Sequence, residues 1–150
     1  MRIVSTLLVA LMATAAFSAH AATDTKDPIQ ARKAIFKEYK KTFGAMGGMI
    51  KGKTEYNQAE FAKLAAEMET LSKQPWSHFP AGSDKGSKTE ARAEIWSKPA
   101  EFKKAADDHQ AAFAQLTKVA QAAKTLDDVK PAFGAAQKTC KSCHDSFKKD

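Results

Sequence analysis

Cys140, Cys143 and His144 are the residues of this chain best able to do chemistry, and they stand in one run, Cys140-Lys141-Ser142-Cys143-His144, six residues from the end. The run contains both cysteines of the sequence. Two thiols three apart, followed at once by an imidazole, form the attachment pattern for c-type haem. Each thiol can be joined to a vinyl group as a thioether, and the imidazole is then placed to ligate the iron. Three other chemistries use similar pairs. A thiol oxidoreductase sets its cysteines at a helix N-terminus in a βαβ setting, where the thiolate is stabilised. A zinc site needs a fourth ligand, and only three are local. A structural disulfide here would close a tiny loop and restrain the unfolded chain little. Haem attachment is the strongest reading: one haem c, covalent through Cys140 and Cys143, with His144 as the metal ligand.

The other end of the chain supplies a compartment that agrees. Residues 1–21 read as a secretory signal peptide, with Arg2 as the positive n-region, an apolar stretch from Ile3 to Phe17, and Ala19-His20-Ala21 as an A-x-A cleavage site. The stretch is short for a membrane span, and no stop-transfer pattern follows it. In bacteria haem is attached covalently outside the cytoplasm, so export to the periplasm is expected. Residues 22–150 then form one domain, long enough to bury a real core. The net charge is +7, of which the signal segment's Arg2 supplies one. A basic surface could meet an acidic redox partner or an anionic membrane face, but solubility is the plainer explanation. Acidic and basic residues are interleaved and no basic tract is laced with aromatics, so neither nucleic acid nor membrane is expected as a partner.

Four helices must position the haem motif. Asp27-Pro28 opens the first, Asp as N-cap and Pro at the first helical position. Its stripe is Ile29, Arg32, Phe36, Tyr39, Phe43, Met46 and Ile50, and Gly52 follows its end. Asn57 with Glu60 caps the second, with Phe61, Leu64, Met68 and Leu71 as its stripe and Pro75 as its stop. Residues 74–92 read as a loop in which Trp76 and Phe79 fold back on the core. Ser97 to Thr125 carries the third helix, with Phe102, Ala106, His109, Phe113 and Leu116 in register. The fourth runs from about Asp128 to Lys148, with Phe133, Ala136, Cys140, Cys143 and Phe147 on one stripe. No strand alternation stands out. The expected fold is all-α, an antiparallel up-down-up-down four-helix bundle.

In such a bundle the end of the last helix lies beside the start of the first, so Arg32 and Phe36 fall near the porphyrin. Arg32 is a charge on an apolar stripe and needs a partner; a haem propionate suits its fork, and snorkelling to water is the plain alternative. Its neighbour Lys33 could reach a propionate or simply solvate the surface. No Met or His follows His144, so the layout of ordinary small cytochromes c is excluded. Met46 and Met49 are too far along the helix and read as core filler. Met68 and His109 could supply a sixth ligand, but interior packing is the preferred reading for both; His78 is expected to be exposed. The expectation is a five-coordinate iron with its open face covered by Phe36. That face offers no hydrogen-bond donor, so carbon monoxide and nitric oxide should be accepted and dioxygen disfavoured. No nucleophile–base pair or carboxylate pair stands out, so the chain is read as a binding protein and not an enzyme.

The sequence resembles the cytochromes c′, the high-spin branch of class II cytochromes c. The resemblance runs from about Pro28 to Lys149. It is carried by the C-terminal haem motif with Asp145, by Arg32 followed four residues later by an apolar blocker, and by Phe43-Gly44, Lys51-Gly52, Leu71 to Trp76 and Arg92-Ala93-Glu94-Ile95-Trp96. It implies haem attachment at Cys140 and Cys143, an exposed proximal His144 and a distal Phe36. It also places Arg32, Lys33 and the Glu90 to Arg92 segment around the haem edge. Lys148 matches a basic residue flanking the proximal face in relatives, where some have Arg. Relatives often carry a smaller aliphatic residue where Phe36 stands. The family typically forms homodimers through the first two helices, to which Tyr39 and Met49 could contribute, although a place in the core or at its rim suits them at least as well. The competing function is a periplasmic electron-transfer cytochrome with a sixth ligand and a redox partner protein.

Overall fold

The computed structural model describes residues 27–86 and 88–149; the signal segment read at residues 1–21 lies outside them. Four long helices, α1 (Pro28–Ile50), α2 (Gln58–Ser72), α4 (Pro99–Ala122) and α5 (Leu126–Phe147), form an antiparallel bundle. Between α2 and α4 the chain makes a 3₁₀ turn, Pro75–His78, a loop, and one short helix, α3 (Glu94–Ser97).

Local chemistry sets the helix ends. Asp27 Oδ1 accepts from Ile29 N at 2.8 Å, ahead of Pro28 at the first helical position. After Ile50 the chain closes in a Schellman turn: Gly52 N donates to Met49 O, Lys53 N donates to Gly48 O, and Gly52 takes φ +67°. Asn57 Oδ1 accepts from Glu60 N at 2.9 Å and caps α2. α5 begins two residues earlier than its hydrophobic pattern suggested, because Thr125 and Asp128 form a capping box. The third long helix starts at Pro99, not Ser97, since Lys98 leaves the helical region and isolates α3.

The core falls into two groups. The larger holds Met46, Phe61, Met68, Phe113, Leu116, Val129, Phe133 and their neighbours, several of them fully buried. The smaller, at the C-terminal end of α5, holds Ala91, Ile95 and Phe147, with Phe79, Trp96, Phe102 and Cys143 against it. α4 packs along α2 and α5, whereas α1 touches α5 only lightly. The seam between the first and last helices is thus loosely packed, with Phe43 stacked on Phe133 at 4.3 Å across it. Tyr39 and Met49, raised above as dimer contacts, are each only 8% exposed and belong to the chain's own core.

Candidate functional site

Cys140 and Cys143 share one face of α5, a single turn apart, with His144 one turn beyond Cys140. Both thiols are half-buried and neither is in a disulfide. Cys140 packs on the larger core group and Cys143 on the smaller, so the pair straddles the division between them. Burial raises the pKa of both thiols; Cys143 reaches about 11, with a further push from Cys140. Thiols held neutral in this way are the opposite of what disulfide-exchange chemistry needs. Among the described residues no three His, Cys, Asp or Glu side chains converge as a metal site.

His144 is exposed. Desolvation, and then Lys148, lower its pKa, which favours the neutral imidazole, the form that ligates a metal. The segment after it is held against residues 90–92. Lys149 N donates to Glu90 O at 2.7 Å and Arg92 N donates to Phe147 O at 2.9 Å, framing the bridge between Ala91 and Lys148. Lys148 Nζ pairs with Glu90 Oε2 at 3.0 Å, and Arg92 pairs with Glu94 while reaching Asp145 O at 3.4 Å. Glu90 and Arg92 thus stand beside the last turn of the haem-motif helix.

Arg32 is 3% exposed. Its Nη1 donates to His78 O at 2.9 Å and Ser83 Oγ at 2.8 Å; its Nη2 donates to Ser83 O at 2.7 Å and Thr89 Oγ1 at 2.9 Å. The guanidinium also lies 4.5 Å from the Phe79 ring centroid. The fork expected to hold a propionate here holds the loop instead. All four protons of Nη1 and Nη2 are engaged, so a propionate would have to use Nε or displace a loop oxygen. Lys33 Nζ reaches Lys88 O at 3.3 Å on the same side.

Phe36 is half-buried and meets Tyr39 edge-on at 5.3 Å. The Tyr39 hydroxyl donates to Leu71 O at 2.9 Å, so it is not free for a ligand. Trp76 and Phe79 do turn inwards, each edge-on to Phe102. His78 is half-buried, not exposed, because Arg32 holds its carbonyl. Met68 is 1% exposed in the larger core group, as packing required. His109 is buried but not fully satisfied: Nδ1 meets Thr139 Oγ1 at 3.0 Å, and Nε2 has no partner. The sequence offered signals for this arrangement, namely His109 and Cys140 on facing stripes and Thr139 beside Cys140. The acceptors for Arg32 in a Gly/Ser/Lys loop left none.

These residues fit a c-type haem. Two free, half-buried thiols stand where the two core groups meet, an imidazole follows them, and a buried polar nitrogen of His109 lacks a partner among the described residues. Cys140 and Cys143 would hold the macrocycle and His144 the iron. When bound, the haem supplies an iron centre able to take a small ligand. The chain would supply the two thiol anchors, the His144 imidazole for the iron, the apolar Phe36 and a loop pinned by Arg32.

Comparison with known proteins agrees. The family model described as Cytochrome C' matches residues 27–148. A cytochrome c' of Rubrivivax gelatinosus is 40% identical over 124 residues, covering 81% of this chain and 94% of that protein. A solved cytochrome c prime from Shewanella frigidimarina is 41% identical with a TM-score of 0.78, covering 83% of this chain and 95% of that one. A ferrous variant of the Alcaligenes xylosoxidans cytochrome c prime, solved with bound NO, is 34% identical with a TM-score of 0.76 and covers 83% of this chain and 94% of its own. A variant of that same protein has also been solved with carbon monoxide bound.

Proposed function

The chain belongs to the cytochrome c′ family, and we propose that it is an exported haem protein that binds nitric oxide or carbon monoxide at a five-coordinate iron. The observation that carries the reading is the commitment of the donors around the seam. The Tyr39 hydroxyl, the Trp76 and Trp96 indole N–H groups and the terminal nitrogens of Arg32 all donate to protein oxygens. Bound dioxygen gathers negative charge and needs such a donor; carbon monoxide and nitric oxide need one much less. Phe36 adds an apolar cover. Relatives solved with NO and with carbon monoxide support the ligand class. The protein acts in this reading as a binder and not as a catalyst, with nitric oxide buffering as its use.

Its place is the periplasm, on the strength of the signal pattern at residues 1–21 and the site of haem attachment in bacteria. Among the described residues no helix is long and apolar enough to cross a membrane. A homodimer through α1 and α2 remains part of the proposal, with Tyr39 and Met49, each only 8% exposed, serving the chain's own core. The electron-carrier alternative is weakened where it relied on Met68, which lies in the main core.

The test is titration of the ferrous protein with nitric oxide, carbon monoxide and dioxygen, followed by absorption. Saturable spectral change with the first two, and oxidation without a stable adduct for the third, are expected. A stable dioxygen adduct, or indifference to all three, would overturn the proposal.

A further inference from the structure

On the outer faces of α2, α4 and the start of α5, lysines stand beside acids one turn away: Lys63 beside Glu60, Lys103 beside Asp107, Lys104 beside Asp108 and Lys130 beside Asp127. The surface beside the haem motif is built differently. Its ion pairs are Lys148 with Glu90, Arg92 with Glu94 and Lys141 with Asp145. Lys33, Lys37, Lys88 and Lys149 are exposed there and make no ion pair among the described residues.

Three elements bring these lysines together. Lys37 follows Lys33 by one turn of α1. Lys33 Nζ donates to Lys88 O at 3.3 Å, which joins the loop to α1. Lys149 N donates to Glu90 O at 2.7 Å, and Lys148 Nζ pairs with Glu90 Oε2 at 3.0 Å, which joins the loop to the end of α5. Glu90 is thus a single carboxylate set among lysines; Lys148 first, and also Lys33 and His144, hold it below the usual carboxylate range. Lys148 lies one turn beyond His144, so the surface borders the residues that would hold the haem. Like charges gathered on one face repel one another and favour an anionic partner.

The gas-binding reading gives the class of that partner. Carbon monoxide binds ferrous and not ferric iron, so iron that has been oxidised must receive an electron before it binds again. Both thiols are taken by the haem in that reading, so the electron comes from another molecule. We propose that the surface of Lys33, Lys37, Lys88 and Lys149 docks an acidic one-electron donor protein that returns the haem iron to the ferrous state. The inference rests on the gas-binding reading above and adds the partner. One electron leaves the donor's reduced centre and ferric iron becomes ferrous; no bond forms or breaks between the two proteins. A membrane face suits the surface less well. Exposed neighbours of these lysines in the chain include Ala34, Gly86 and Glu90, none of them a large apolar group able to enter a bilayer.

The probe is a strongly acidic plant-type ferredoxin, mixed with the haem-loaded protein. Oxidised ferredoxin titrated calorimetrically into the ferric protein measures docking apart from electron transfer. Reduced ferredoxin in stopped flow measures the rate of haem reduction. Wild type should bind at low salt, and affinity and rate should both fall steeply towards about 0.15 M salt, where the screening length is about 8 Å. Lys88→Glu/Lys149→Glu should weaken both about tenfold. Lys51→Glu/Lys53→Glu makes the same change in net charge at the other end of α1, roughly 27 Å from Lys33, and should alter neither by more than about twofold. Should Lys88→Glu/Lys149→Glu fail to fold, Lys37→Glu/Lys88→Glu replaces it with the same expected loss. Equal losses at the two ends of α1 would mean that net charge alone acts, and would overturn the docking surface. So would wild type that ignores ferredoxin at low salt, or that binds phosphatidylglycerol vesicles more tightly through the same lysines. In each case a wild type that still takes carbon monoxide leaves the gas-binding reading standing; one that takes none overturns both.

Discussion

Replacing Arg32 tests how the haem end of the bundle is held together. The guanidinium makes four hydrogen bonds to loop oxygens. The two to Ser83 are buried, and Ser83 itself is 5% exposed. Arg32→Ala leaves those acceptors unpaired, at about 1.5 kcal/mol each for bonds to a charged donor. The half-buried acceptors, His78 O and Thr89 Oγ1, can turn to water and add about 0.5 kcal/mol each. The loss is therefore about 4 kcal/mol, and water entering the opened site reduces it towards 3. Arg32→Lys keeps the charge but not the fork, and should lose about half as much. Thr89 Oγ1 also accepts from Ala91 N, and residues 90–92 bind the end of α5 and the residues just after it, so the loss should extend to the segment that follows His144. Urea unfolding of the haem-loaded protein gives the stability change from the midpoint at constant slope. Proteolysis within residues 78–89 reports the loop. A change below about 0.5 kcal/mol, with the loop still protected, would refute the reasoning. A small stability change with a large shift in reduction potential would return Arg32 to the propionate role.

Three further outcomes follow from the same geometry. Cys143→Ser should leave haem held through Cys140 alone, with an altered pyridine haemochrome band, and Cys140→Ser/Cys143→Ser should release all haem to acidified acetone; retention in the double variant would exclude thioether attachment. Phe36→Ala should speed carbon monoxide association about tenfold, because moving a half-buried phenyl ring aside costs about 1.5 kcal/mol; an unchanged rate in stopped flow would remove Phe36 from the entry path. His109 should make stability fall in acid. Its folded pKa of about 4 lies below the unfolded value near 6.5, so its contribution is complete above pH 6.5 and disappears as pH falls towards 4. The full drop is about 3 kcal/mol. The ring faces Tyr39, Trp76, Phe113 and Thr139, none of which titrates in that range, and His144 is the charge that acts on it. His109→Phe should flatten this part of the pH–stability curve, and an unaltered curve would contradict the assignment.

Helix number, order and core faces were legible because the pattern is simple. Asp27-Pro28, Asn57 and Gly52 act through neighbours a few residues away, so their roles can be read from spacing. Thr125 was missed as a cap because its partner is Asp128, a shorter acid than the usual Glu or Gln. That Cys140, Cys143 and His144 stand together on one stretch of helix was legible for the same reason of proximity. The partners of Arg32 were not: Ser83 and Thr89 lie more than fifty residues away in a loop without periodicity, and a buried charge announces only that it needs partners. His109 was placed on an apolar stripe, but which of its nitrogens has a partner depends on Thr139, 30 residues away in the chain.

The most direct test of the central claim is the absorption spectrum of the exported protein, ferrous and then ferrous with carbon monoxide. An open iron beneath Phe36 predicts a broad ferrous spectrum without a sharp α band, clearly changed by carbon monoxide. A sharp low-spin spectrum that carbon monoxide leaves unchanged would mean that a side chain fills the sixth position, and the gas-binding account would be wrong.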